Sequence, residues 1–145
     1  MPESSATSVA TRTISAEAAH RAVGAAVARA GELGIRVNAA VCDASGVLTG
    51  FLRMPGAFLH SVEIAMDKAY TAAGFGFPTK AWMPAIGGDE ALRVGLPLRP
   101  RLVVFGGGLP IREHGVLIGA IGVSGGSAEQ DEECARAGIA AVGLE

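Results

Sequence analysis

The sequence predicts an α+β domain in which a five-stranded antiparallel sheet is flanked by helices. Three observations predict it. Apolar segments follow the order helix, two strands, helices, three strands, helix. Two pairs of short strand-like runs are joined by turn-rich connectors, D-A-S-G at residues 43–46 and E-H-G at 113–115, whose length suits hairpins and hence antiparallel pairing. Strands and helices also segregate along the chain instead of alternating strictly, which argues against a doubly wound parallel sheet. At 145 residues the chain is one domain's worth, with residues 1–14 forming a disordered polar tail and 15–145 the folded unit.

Each element has a local reason. Ser15 is an N-cap, Glu17 complements the helix dipole, and the Ala-rich run that follows ends at Gly31 or Gly34. Residues 37–42 and 47–53 read as two strands, the second ended by Pro55-Gly56. From Leu59, the residues Val62, Met66, Ala69 and Ala73 recur at three and four, which predicts a helix with that stripe against the core and with Glu63, Asp67, Lys68 and Thr71 off it. Gly74, Gly76 and Pro78 stop this helix. Residues 79–96 hold one or two short helical pieces, interrupted by Pro84 and by Gly87-Gly88. Strands are expected over 101–105, 109–112 and 116–124. Ser127 and Gln130 then form a capping box, with Glu129 and Asp131 in the first turn of the last helix.

Composition excludes several function classes. Half the residues are hydrophobic, but with 21 glycines and 5% aromatics the core must be built from small aliphatic side chains, which leaves little ring surface for stacking bases. A net charge of −2 provides no basic footprint, so nucleic acid is not an expected partner. No run approaches the ~18 apolar residues of a membrane helix, and the first fourteen residues lack the apolar segment of a secretory signal, so the expectation is a cytoplasmic protein with no membrane partner. Cys42 and Cys134 lie in apolar patterns without metal-ligand spacing and read as buried inert thiols.

Two glycine clusters carry the main chemical interest. Gly106-Gly107-Gly108 leads into Leu109-Pro110-Ile111, a strand, so the helix N-terminus of a dinucleotide or phosphate-loop site is missing there. Ser124-Gly125-Gly126 does precede a helix; its amides either hold an anion or are already satisfied by Ser127 and the first-turn acids. Arg53 and Lys68 are the cations suited to an anionic ligand. His20, His60 and His114 are the possible imidazole ligands, and the spacing of His60, Glu63 and Asp67 suits a polar surface as readily as a metal. No G-x-S-x-G elbow, nucleophile–histidine order or carboxylate pair supports a hydrolase or glycosidase.

The segments V-C-D-A-S-G-V-L (41–48), F-L-R-M-P-G-A (51–57), I-A-M-D-K-A-Y-T-A-A-G-F-G-F-P-T (64–79), G-G-L-P-I (107–111) and G-A-I-G-V-S-G-G-S-A-E-Q-D-E-E-C-A (119–135) resemble, in order, the GlcG/HbpS family of small bacterial proteins, a family also similar to the C-terminal domain of PduO-type proteins. The likeness runs from about Ser15 to the C-terminus. One departure is Pro55, where family members usually read R-M-D-G-A. The resemblance implies a profilin-like single-domain sandwich assembled as a dimer or larger ring, and haem binding or haem degradation. It nominates Arg53 and Lys68 as catalytic or anchoring cations. As ligand-binding positions it nominates Gly107, Gly108, Pro110, Ser124, Gly125, Gly126 and Asp131; to these the histidines themselves add His20, which lies among alanines in helix one and serves as an axial ligand if its imidazole faces an apolar slot. Haem is the cofactor implied, with His20 on the iron and Arg53 or Lys68 on the propionates. The alternatives are an enzyme acting on a small carboxylate or aldehyde-derived substrate, with Lys68 polarising or deprotonating it, and a purely structural oligomeric module.

Overall fold

The computed structural model describes residues 7–145. The chain forms α1 (Ala16–Leu33), β1 (Asn38–Asp43), β2 (Leu48–Arg53), α2 (His60–Phe75), α3 (Trp82–Ile86), α4 (Glu90–Gly95), β3 (Gly108–Glu113), β4 (Val116–Ser124) and α5 (Ala128–Ala141), with short 3-10 turns at Thr79–Ala81 and Leu96–Leu98. The sheet is antiparallel throughout, in the order β2-β1-β4-β3. It therefore has four strands where five were expected.

The missing strand is residues 101–105, and its backbone shows why. Arg101 adopts φ 64, outside any extended conformation. The hydroxyl of Thr71 then donates to Arg101 O at 2.8 Å and accepts from Val103 N at 3.1 Å. A side chain of α2 thus satisfies the polar groups that a neighbouring strand would otherwise pair.

Local signals place most other elements. Ser15 Oγ caps α1 by accepting from Ala18 N, and Gly34 closes it at φ 74. Asp43 Oδ1 accepts from Ser45 N and Val47 N at 2.9 and 3.0 Å, which folds the β1–β2 turn. The capping box of Ser127 and Gln130 starts α5. Pro84 lies inside α3 rather than interrupting it, because its missing N–H falls in the first turn, where no intrahelical partner exists.

The helices cover both sheet faces. α1 and α5 pack Ala19, Ala22, Val23, Ala26, Cys134 and Ile139 against Ala39, Val41, Ile121 and Val123. On the other face α2 sets Ala69, Ala72 and Ala73 against Cys42 and Ala120. The expected stripe of α2 is rotated: Ser61, Ala65, Lys68 and Ala72 face inward, whereas Leu59 is 75% exposed. The cause is Gly122 on β4, where a Cβ would stand 2.2 Å from Ala65 O and 2.6 Å from Ala69 N. The helix backbone lies so close to the strand that only small side chains and one long, threaded one fit beneath it.

The N-terminal boundary lies earlier than expected. Ile14 is 5% exposed within the core and its N–H donates to Ile118 O at 2.8 Å, while Thr13 Oγ1 accepts from Ala44 N at 2.9 Å. Of the segment read as a polar tail, residues 1–6 lie outside the described residues.

Candidate functional site

The two glycine bends meet at one end of the sheet, around Lys68. Its side chain is 1% exposed, not on a solvated face as the periodicity implied. From α2 it passes the end of β3 and β4 to reach α5 on the opposite face. There Nζ donates to Val123 O at 2.8 Å and to Asp131 Oδ2 at 3.1 Å. The ring of Phe105 covers it, 5.2 Å from Nζ to centroid.

Glycine is what opens this passage. A Cβ on Gly107, which sits at φ 125, would lie 2.5 Å from Lys68 Nζ and 2.7 Å from Val123 O. Gly107 O in turn accepts from Val123 N at 3.0 Å, and Gly108 N donates to Thr79 Oγ1 at 2.9 Å. Burial pulls the Lys68 ammonium below its usual value of 10.5 and pushes the Asp131 carboxyl above 3.8; in each, desolvation outweighs the attraction of the other.

The second bend is satisfied from within. Gly126 N donates to Asp131 Oδ1 at 2.8 Å, Ser127 N to Gln130 Oε1 at 3.0 Å, and Gln130 N to Ser127 Oγ at 3.1 Å. Of the two readings of Ser124-Gly125-Gly126, the geometry supports satisfied amides. Ser124 Oγ lies 3.1 Å from Ser61 Oγ, and Pro110 occupies edge strand β3, where its absent N–H costs no ladder bond.

Arg53 and His20 lie elsewhere. Arg53 is in register with Asn38, and Asn38 with Ser124, so Arg53 stands two strands from the glycine corner, roughly 10 Å away. Its Nη2 donates to Ala57 O at 2.8 Å. His20 is on α1, whose far end at Leu33 approaches the corner through Ile35, so about 20 Å of helix separates His20 from it. The sequence grouped these residues around one cleft; the fold divides them into two adjoining neighbourhoods, with His20 far along α1 and Arg53 in a hollow whose Arg36 backs onto Gly125 through its carbonyl.

The second neighbourhood is the outer flank of α1. A Cβ on Gly50 would lie 3.2 Å from Ala19 O, so α1 crosses β2 at that point. His20, Gly24 and Val27 follow at i, i+4 and i+7 on one flank. His20 is exposed, and its imidazole makes no hydrogen bond or ion pair with the described residues. Val27 and Leu52 border a hollow of about 460 Å³ that also contains Arg36, Arg53, Met54 and Pro55. Sequence reasoning missed Arg36 and Val27; the i+7 spacing from His20 to Val27 was the available signal.

The remaining candidates are separate. His60 and His114 are exposed, and Asp67 accepts from Arg101 Nε at 2.8 Å. No group of metal-ligating side chains occurs among the described residues. Cys42 and Cys134 are buried free thiols, each pushed up to about 11 chiefly by burial. No described helix is long and apolar enough to cross a membrane.

Residues 14–140 match the family described as haem degrading protein HbpS-like. The corrinoid adenosyltransferase PduO of Citrobacter freundii is 39% identical over 142 residues, which is 97% of this chain and 42% of that protein. The chain thus spans less than half the length of this relative. Among solved structures, the Klebsiella pneumoniae protein ORFY superposes with a TM-score of 0.90 at 33% identity, covering 99% of this chain and 100% of the other. The PduOC:heme complex superposes with a TM-score of 0.84 at 38% identity, covering 92% and 97%.

Proposed function

The chain belongs to the HbpS-like family, and we propose that it binds haem along the outer flank of α1, with His20 holding the iron and Arg53 and Arg36 meeting the propionates. The observation that carries this reading is His20 itself. Imidazole is the common protein ligand of haem iron, and the His20 side chain is exposed and makes no hydrogen bond with the described residues. The donor set fits the group: Val27, Leu52, Arg36 and Arg53 border one hollow, and helical spacing puts His20 on the same flank as Val27, about 10 Å along α1, with Gly24 between them offering no side chain. Neither Arg36 nor Arg53 is in an ion pair with the described residues, so both guanidinium groups can pair with carboxylates.

Bound haem would supply the oxygen and peroxide chemistry by which a macrocycle is degraded, and the protein would supply orientation and access. Val27 and Leu52 exclude water from one face, and the two arginines fix the carboxylate edge. Lys68 is withdrawn from ligand contact in this reading, because its ammonium is already committed to Asp131 and Val123.

Titration with haemin tests the proposal. A saturable Soret shift is expected at equimolar protein, lost in His20→Ala and weakened in Arg53→Gln. Absence of a shift in the unsubstituted protein, or an unchanged one in His20→Ala, overturns it.

A second reading, an enzyme acting on a small carboxylate or aldehyde-derived substrate, is favoured by one observation: Lys68 lies buried beside a carboxylate, and burial lowers its ammonium from the usual 10.5. Half-exposed Phe105 would then admit the substrate by rotating away. Turnover abolished in Lys68→Arg, with haemin binding intact, would support it. Self-association into a closed oligomer belongs to the same proposal, through the edge of β2, which pairs with no further strand among the described residues and carries exposed Leu48. Sedimentation of the wild type and of Leu48→Lys measures it.

A further inference from the structure

We propose that a second small-molecule site, built on Arg101 and Tyr70, takes a flat monocarboxylate. It lies between the second half of α2, the β1–β2 turn and the segment after the Leu96–Leu98 turn, and it is independent of the haem reading. The cavity is about 270 Å³, the size of one substituted ring, and Tyr70, Phe75, Leu102 and Gly74 give it a mainly apolar wall.

Its polar group is unusually well fixed. Arg101 holds φ 64, a conformation that a residue with a long side chain rarely adopts, and Thr71 pins its carbonyl at 2.8 Å. The guanidinium carbon lies 3.7 Å from the centroid of the Tyr70 ring, and Nε donates to Asp67 Oδ1 at 2.8 Å. Stacking sets the plane of the fork and Asp67 sets its rotation. The two terminal nitrogens have no hydrogen-bonding partner among the described residues. A planar fork with its terminal donors free, beside an aromatic wall, matches a carboxylate carried on a flat apolar body. The same backbone bend that satisfies the buried Thr71 hydroxyl leaves the Arg101 side chain exposed, at the rim of the cavity.

Benzoate is the probe and benzamide its neutral counterpart, followed by amide shifts at Thr71, Gly74 and Leu102. Fluorescence gives a second readout, because the single tryptophan, Trp82, stacks edge-on against Phe75 at 4.6 Å. Saturable benzoate shifts are expected, with benzamide weaker. In Arg101→Asn, whose side chain tolerates the left-handed backbone, Kd should rise on the order of tenfold or more, the worth of a charge-assisted hydrogen bond. In Asp67→Asn it should fall, because the amide oxygen can still accept from Arg101 Nε and hold the fork while the competing negative charge is removed. Should Arg101→Asn disturb the fold, Tyr70→Leu removes the guanidinium's platform and is expected to weaken benzoate in the same way. No saturable shift, equal binding of benzamide, or unchanged affinity in the folded Arg101 or Tyr70 variant overturns the proposal, as does unchanged or weaker affinity in Asp67→Asn.

Discussion

Lys68 Nζ and Asp131 Oδ2 meet at 3.1 Å, with side chains 1% and 4% exposed, and so tie the helix on one face of the sheet to the helix on the other. Neither charge has water to turn to. Removing one partner therefore strands the other in the interior. Lys68→Met is expected to lower unfolding free energy by about 3–5 kcal/mol, read from urea denaturation, whereas Lys68→Met combined with Asp131→Leu should recover much of the loss. A double variant no more stable than the single one would show that the pair contributes more than avoidance of an isolated charge.

Glycine at position 107 is required by the same contact. Gly107→Ala must place a methyl 2.5 Å from the ammonium at φ 125, so two unfavourable effects combine. A loss of roughly 2–4 kcal/mol is expected in urea unfolding. Gly74 is the control: it is helical, with nothing within 4 Å of an added Cβ, and Gly74→Ala should instead stabilise by about 0.5–1 kcal/mol.

What the sequence revealed and what it concealed separate along one physical line. Caps, turns and hairpins depend on neighbours a few residues away, and Ser15, Gly34, Asp43 and the Ser127–Gln130 box were legible for that reason. The Lys68–Asp131 contact spans 63 positions and has no local signature. The helical periodicity around Leu59 misled because hydrophobicity ranked residues by size, whereas Gly122 selects for smallness. Residues 101–105 have strand-like composition, yet the hydroxyl of Thr71 captures their backbone. His20 was visible as a candidate; its distance from the glycine corner was not.

The two cysteines should be chemically silent in the folded protein. Both thiols are pushed up to about 11, mainly by burial, and Cys42 Sγ donates to Ala69 O at 3.4 Å. The thiolate is the reactive species. An aromatic disulfide reagent at mildly alkaline pH is expected to label neither residue in the native state and both after unfolding. Rapid labelling without denaturant would contradict their burial.

Glu132 makes an acid-dependent contribution. Desolvation acts to raise its carboxyl, but hydrogen bonds from Lys80 at 2.9 Å and from Arg136 prevail and hold it below the usual 4.5. A carboxyl depressed by folding stabilises above its unfolded value, and that stability is lost as pH falls through the lower folded value. Glu132→Gln should therefore be less stable than wild type near neutrality, with the gap in thermal midpoint closing as pH drops below about 4.5. A gap that is constant with pH would assign the effect to packing.

Gly24 separates helix stability from ligand access on the flank of α1. An added Cβ there meets nothing within 4 Å, and glycine in a helix interior costs about 0.5–1 kcal/mol relative to alanine. Leucine restores that propensity while placing a branched side chain between His20 and Val27, where the proposed haem plane lies. Gly24→Leu is thus expected to raise the thermal midpoint and at the same time reduce the Soret change on haemin addition. Gly24→Ala should raise the midpoint with a smaller effect on haemin. A leucine variant that gains stability and still takes up haemin like the wild type would move the binding surface away from this flank, because an intact helix has no other way to keep that surface open.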